Sequence, residues 1–156
     1  VGDGEYRSEC EKFGKVYDKQ VSELDFKNIC VLSQYAPKTL ATKDKYKFRY
    51  FVVGGILGDN PAKKRTDSII NNLKNKKIKF EERSLGNRQM PTDNAVYAAK
   101  KILEGGKLSD FKFADEAEIQ INENESVNLP FRYVVDNSEA VISEKLVRHL
   151  RKRKKF

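Results

Sequence analysis

Segments typical of β-strands alternate with segments of helical periodicity along most of this 156-residue chain. The segments NICVLS (28–33), KFRYFVV (47–53) and IKFEERSL (78–85) are rich in β-branched and aromatic residues, which favours strands. Residues 61–77 and the segment DNAVYAAKKILEGG (93–106) instead carry apolar residues at helical spacing. Because strands that alternate with helices usually form parallel sheets, the pattern predicts an α/β fold with a mostly parallel sheet flanked by helices.

Further segments extend this pattern toward both ends of the chain. We expect a helix over residues 5–16, strands in FADEAEIQI (113–121) and FRYVVD (131–136), and a last helix in SEKLVRHLRKRK (143–154). The helix that follows residue 92 should be capped by Thr92 and closed by Gly105 and Gly106. The length and the lack of repeats or linkers predict one domain over residues 1–156.

The positive charge is concentrated at the end of the chain. Lys and Arg outnumber Asp and Glu by 31 to 23, for a net charge of +8, and RHLRKRKKF (148–156) holds six of these cations. A solvated helix end explains such a tail, and so does contact with RNA. No apolar run is long enough to cross a bilayer and no leader pattern is visible, so we expect no membrane partner and a cytoplasmic location.

The residue types that usually bind metals are few and scattered. Cys10, Cys30 and His149 are the only cysteines and histidine, and no spacing of metal ligands occurs among them. We therefore predict no metal site. We also predict that both cysteines stay free thiols without a chemical role, in a reducing compartment.

Three loops fall where α/β sheets usually bind ligands, beyond the ends of strands. They are GGILGDNP (54–61), LGNRQMPTD (85–93) and NLPFRY (128–133), called the first, second and third loops below. The first is neither a dinucleotide-binding GxGxxG nor a P-loop, and a tight strand-to-helix turn would account for its glycines. Taken alone, the second loop is typical of a loop that ends in a helix cap. Pro130 in the third loop predicts a sharp bend.

Taken together, GGILGDNPAKKRT, RSLGNRQMPTDNA and LPFRYVVD resemble, in order and spacing, the SPOUT-class methyltransferases that modify a protein arginine. The resemblance covers about residues 28–136, and EYRSECEKFG is similar to that family's first helix. It implies an α/β fold with a C-terminal trefoil knot, whose loops hold S-adenosylmethionine.

The resemblance also assigns site residues. It implies that backbone groups of the loops contact the adenine edge and that Leu or Met side chains cover its faces. The implied cofactor-binding residues are Gly54, Gly55, Ile56, Leu57, Gly58, Leu85, Gly86, Met90, Thr92, Leu129, Pro130, Phe131, Arg132 and Tyr133. Asp59, Arg65, Arg83 and Asp93 match the family as well, and of these Asp59 and Asp93 are the candidates for binding a cationic substrate. Arg132 would hold either the cofactor carboxylate or the backbone carbonyls of the knot.

Reaction chemistry selects Asp59 as the candidate catalytic residue. The methyl group of a sulfonium is already activated, whereas an arginine guanidinium is protonated and a poor nucleophile. A carboxylate that orients the guanidinium and accepts its proton would serve, and Asp59 in the first loop is so placed. Capping of the helix that begins at Pro61 explains Asp59 equally well, and helix capping is the preferred interpretation of Asp93.

The resemblance implies an S-adenosylmethionine-dependent, monomeric protein arginine methyltransferase that acts on a small-subunit ribosomal protein. One alternative is an RNA methyltransferase, which the basic tail would suit. The other is a non-catalytic module that binds the ribosome. Relatives begin with a strand of the type IIEH, which is absent ahead of this chain's first helix, so any carboxylate from that strand is missing from the assigned site.

Overall fold

A computed structural model describes residues 4–54 and 66–152 of the chain. In chain order its elements are α1 (Gly4–Glu11), β1 (Ile29–Leu32), α2 (Asp44–Lys47), β2 (Tyr50–Val52), α3 (Thr66–Asn75), β3 (Phe80–Arg83), α4 (Thr92–Leu103), β4 (Lys112–Ala114), β5 (Ala117–Asn122), β6 (Glu125–Leu129), β7 (Tyr133–Asp136), β8 (Glu139–Ala140) and α5 (Glu144–Lys152). Within these ranges no helix is both long enough and apolar enough to cross a membrane.

A parallel sheet in the order β2-β1-β3 forms the centre of the fold. All four residues of β1 are buried, and successive side chains point to opposite faces of the sheet. Ile29 and Val31 pack in a cluster with α3, whereas Cys30 and Leu32 pack in a second cluster with α4. A strand covered on both faces needs apolar residues at every position, which explains the continuous run ICVL. The predicted α/β layering is therefore confirmed here.

The strands after α4 require a correction to the expected mostly parallel sheet. In the described chain β4, β7 and β8 form one antiparallel sheet, and β5 and β6 form a separate antiparallel hairpin. The segment FADEAEIQI is not one strand, because the chain bends at Asp115 and Glu116 between β4 and β5. Most of β5 lies within this predicted segment, whereas β6 and β8 were not predicted.

Several element boundaries also differ from the prediction. The first helix ends at Glu11, and β2 begins only at Tyr50, because Asp44–Lys47 form the short helix α2. Pro91, not Thr92, is the N-cap residue of α4, and Thr92 is the first helical residue. The closing of α4 is as predicted: Gly105 has a φ of +128°, and the Gly106 N–H donates to the Lys101 carbonyl at 3.0 Å.

The two thiols differ in environment, which gives a testable expectation. Cys30 is fully buried, and burial raises the pKa of its thiol to about 12, whereas Cys10 on α1 is exposed. Because the thiolate is the reactive form, iodoacetamide at neutral pH should label Cys10 and leave Cys30 unmodified. Peptide mass mapping of native and urea-unfolded protein checks this. Equal labelling of both thiols in the native protein would contradict it.

Candidate functional site

Two hydrogen bonds connect the described parts of the three loops. The Thr92 hydroxyl donates to the carbonyl of Gly54 at 3.2 Å, which joins the second loop to the end of β2. The Arg132 N–H donates to the Gln89 carbonyl at 2.9 Å, which joins the third loop to the second. Sequence segments that are far apart along the chain thus meet at one place beyond the parallel sheet.

The start of the second loop is held firmly. The Ser84 N–H donates to the Lys38 carbonyl at 2.8 Å, and the Leu40 N–H donates to the Ser84 carbonyl at 2.9 Å. Leu85 is buried in the core cluster next to α4, and Met90 packs against the same cluster. Between them Gly86 has a φ of +102°, a conformation that residues with a side chain rarely adopt. The loop therefore turns sharply at Gly86 while its two apolar residues stay fixed.

Asn94 connects the beginning of α4 to the strand that follows the third loop. This side chain is fully buried, its Oδ1 accepts the Val134 N–H at 2.8 Å, and its Nδ2 donates to the Val141 carbonyl at 2.9 Å. Since the Asn94 side chain and the Val134 N–H lie in the interior, the hydrogen bond between them prevents a large desolvation cost. Asn94 thereby fixes the distance between the second loop and β7.

The third loop contains the bend that Pro130 predicts. The Phe131 N–H donates back to the Leu129 carbonyl at 2.9 Å, so the chain turns tightly around the proline. Tyr133, the first residue of β7, is buried, and burial together with the charge of Asp93 raises the pKa of its hydroxyl. The phenol is therefore neutral at physiological pH.

Arg132 lies at the junction of the second and third loops. Its Nε donates to the Asp115 carboxylate at 2.7 Å, and its guanidinium carbon lies 5.2 Å from the centre of the Phe113 ring. A Cβ placed on Gly86 would be 3.6 Å from Nη1 of Arg132. The guanidinium therefore faces the turn of the second loop, where an anionic group of a ligand would find a cation.

Arg83, which the family resemblance left without a role, belongs to the protein interior. Its guanidinium donates to both carboxylate oxygens of Asp44, from Nε at 3.1 Å and from Nη2 at 3.0 Å. The two side chains are 8% and 4% exposed, and this pair raises the pKa of Arg83. Arg83 thus anchors the end of β3, directly before the second loop.

The structure brings together most, but not all, of the predicted site residues. Leu85, Gly86, Met90 and Thr92 share one region with Arg132 and Tyr133 through the contacts above. Gly54, Leu129, Pro130 and Phe131 adjoin that region along the chain. Gly55, Ile56, Leu57, Gly58, Asp59 and Arg65 lie outside the described residues. In the described part of the chain no group of three or more His, Cys, Asp or Glu side chains could hold a metal ion.

Two residues important to this region were not singled out from the sequence. Asn94, Ala98 and Ile102 are spaced four residues apart and are all fully buried, so Asn94 lies on the apolar face of α4. A polar residue on that face was a signal that could have been noticed. Asp115 offered no such signal, because its contacts with Arg132 depend on the bend between β4 and β5.

Comparison with known proteins gives a consistent set of similarities. A family model described as "Protein arginine N-methyltransferase SFM1-like" matches residues 4–155. The protein arginine N-methyltransferase SFM1 of Saccharomyces cerevisiae is 40% identical over 109 residues, which are 69% of this chain and 50% of that protein.

Solved structures of the yeast enzyme are similar as well. Its complex with S-adenosylhomocysteine superposes with a TM-score of 0.73 at 34% identity, over 81% of this chain and 59% of that one. Its complex with S-adenosylmethionine gives a TM-score of 0.75 at 33% identity, over 87% and 63%. The chain therefore spans about half the length of the curated relative and somewhat more of the crystallised chains.

Proposed function

The chain belongs to the SFM1-like family of protein arginine N-methyltransferases, and on that basis we propose that it transfers a methyl group from S-adenosylmethionine to a protein arginine. The observation that carries the proposal is the convergence of the three motif loops, through the bonds of Thr92 to Gly54 and of Arg132 to Gln89. The activity, substrate and partners of the whole protein form part of the proposal. So do the SPOUT class and its trefoil knot.

The residues at the loop junction suit this cofactor. Gly86 leaves its backbone open to close approach, and the half-buried Met90 and Phe131 offer apolar surface for an adenine ring. Arg132 supplies a cation for the cofactor carboxylate. When bound, S-adenosylmethionine supplies an electrophilic methyl group on a sulfonium. The chain's own residues bind and orient the reactants, and Asp59 accepts a proton from the substrate guanidinium.

The proposed acceptor is an arginine of a small-subunit ribosomal protein, and α5 supports contact with RNA near it. Lys145, Arg148, His149 and Lys152 are exposed and lie on one face of this helix by their spacing. Half-buried Val147 and Leu150 lie toward the opposite face, and α5 packs on β5. The exposed Lys145, Arg148 and Lys152 could contact the phosphates of an RNA backbone. We further propose that the enzyme is monomeric and cytoplasmic.

Calorimetric titration with S-adenosylmethionine and S-adenosylhomocysteine tests the proposed function. The chain should bind both, and Gly86→Ala should weaken binding by about tenfold, since a side chain at this φ costs roughly 1–3 kcal/mol. Gly14→Ala is the matched control, because Gly14 has no atom within 4 Å of an added Cβ. A folded protein that binds neither compound would refute the proposal.

A methyl-transfer assay then identifies the acceptor class. Radiolabelled S-adenosylmethionine is incubated with the protein and with ribosomal subunits as acceptor. Label that survives RNase and is lost with protease supports arginine methylation. Label that RNase removes would support the alternative of an RNA methyltransferase, and binding of cofactor without any transfer would support the non-catalytic module.

A further inference from the structure

Asp115 lies outside all three motif loops, at the bend between β4 and β5. Its carboxylate nevertheless contacts two of those loops. One oxygen accepts from Nε of Arg132 in the third loop at 2.7 Å, and the other lies 3.5 Å from Nη2 of Arg88 in the second loop. A residue remote from the motifs in sequence thus connects two of them in space.

The contact with Arg132 is the stronger of the two. The Arg132 side chain is 20% exposed, whereas that of Arg88 is 55% exposed, so solvent screens the first ion pair less. The hydrogen bond from Arg132 and its charge lower the pKa of Asp115, so the carboxylate is ionised at neutral pH. Asp115 therefore supplies a permanent charge opposite Arg132.

Phe113 and Asp115 both contact the guanidinium of Arg132 and together hold it in place. Phe113 lies in β4, and Asp115 lies two residues later in the bend that follows this strand. Phe113 contacts the guanidinium at 5.2 Å from its ring centre, while Asp115 accepts from Nε. Nε–H is one of the five N–H donors of a guanidinium. These two contacts therefore leave Arg132 able to donate to a further acceptor.

We propose that Asp115 is a positioning residue for cofactor binding: it holds Arg132 beside Gly86 so that the guanidinium meets the cofactor carboxylate. The inference rests on the proposed function, since it presupposes that the loop junction binds S-adenosylmethionine. Its structural basis is the chain of contacts from Asp115 through Arg132 to the turn at Gly86.

Cofactor titration of Asp115→Asn tests the inference. The variant should bind S-adenosylhomocysteine about tenfold more weakly, which corresponds to the loss of one hydrogen bond between charged groups. Its KM for S-adenosylmethionine should rise with kcat nearly unchanged, because the group acts on binding. Its thermal stability should stay close to that of the parent, since Asp115 is half exposed. Glu118→Gln is the matched control, because this nearby carboxylate accepts from Ser126, outside the three loops, rather than from an arginine.

Two further results separate positioning from other roles. Asp115→Glu, which retains the charge, should recover part of the affinity. In an Arg132→Met background, Asp115→Asn should have no additional effect, because the two residues act through one contact. Parental affinity in Asp115→Asn, or equal losses with and without Arg132, would overturn the inference. If the parent chain itself binds no cofactor, the proposed function has failed rather than the role of Asp115.

Discussion

Replacing Asp44 by asparagine is expected to lower the free energy of unfolding by about 3–5 kcal/mol, because it removes the buried counter-charge of the Arg83 guanidinium. Both side chains are at least nine-tenths buried, and the carboxylate also accepts the Ala41 N–H at 2.9 Å. For a chain of this size such a loss lowers Tm by about 10 °C. Thermal unfolding followed by circular dichroism measures it.

Two variants determine whether the pair or its surroundings cause this effect. Glu81 also contacts Arg83, at 3.2 Å, but its side chain is 38% exposed, so Glu81→Gln should cost less than about 1 kcal/mol. The double variant Asp44→Leu with Arg83→Met should recover most of the lost stability, since apolar residues of similar volume often replace a buried ion pair at little cost. A Tm of Asp44→Asn close to the parental value would contradict the prediction.

The location of this ion pair connects stability with the proposed site. Arg83 is the last residue of β3, and the second loop begins at the next positions. Thr42, two residues before Asp44, donates from its hydroxyl to the Ile102 carbonyl of α4 at 3.0 Å. The pair holds the end of β3 against α2, and the residue Thr42 just before α2 contacts α4, so this region connects the two elements that flank the second loop. Loss of the pair should weaken cofactor binding as well as stability.

The layered part of the fold could be predicted from sequence because its signals are local. Continuous apolar residues in β1 and helical periodicity in α4 are typical of strands and helices that are buried against each other. The region after α4 was harder, because antiparallel pairing depends on which strands meet. The bend at Asp115 is stabilised by contacts with arginines 17 and 27 positions away, and no periodicity shows such partners.

The candidate site was predictable only in part, and for a similar reason. The glycine and proline positions were informative, since a positive φ at Gly86 and a bend at Pro130 restrict the residue type locally. From the residues alone Thr92 was assigned to helix capping, and the family resemblance added it to the cofactor-binding residues. Its actual bond to Gly54 joins residues 38 positions apart, which only the folded chain reveals.

Replacing Asp59 by asparagine is expected to slow methyl transfer by about 10²–10⁴-fold, the usual effect of removing a general base. Asparagine keeps the shape of the side chain, but it cannot accept the proton that the guanidinium loses as the methyl group arrives. Cofactor affinity should change little, because the proposed role concerns the acceptor arginine. Single-turnover transfer with radiolabelled S-adenosylmethionine measures the rate, and calorimetry measures the affinity.

The competing interpretation, in which Asp59 caps the helix predicted from Pro61, gives a different result. Loss of an N-cap costs about 1 kcal/mol of stability and leaves the chemical step alone. A lowered Tm with the parental rate of methyl transfer would therefore assign Asp59 to helix capping. Another carboxylate would then be the group that accepts the proton. Asp67→Asn is the matched control, because this aspartate lies in the first turn of α3 and should affect only stability, by a few tenths of a kcal/mol. A slowed rate in Asp59→Asn with parental Tm and affinity, and a normal rate in Asp67→Asn, would establish Asp59 as the group that accepts the proton.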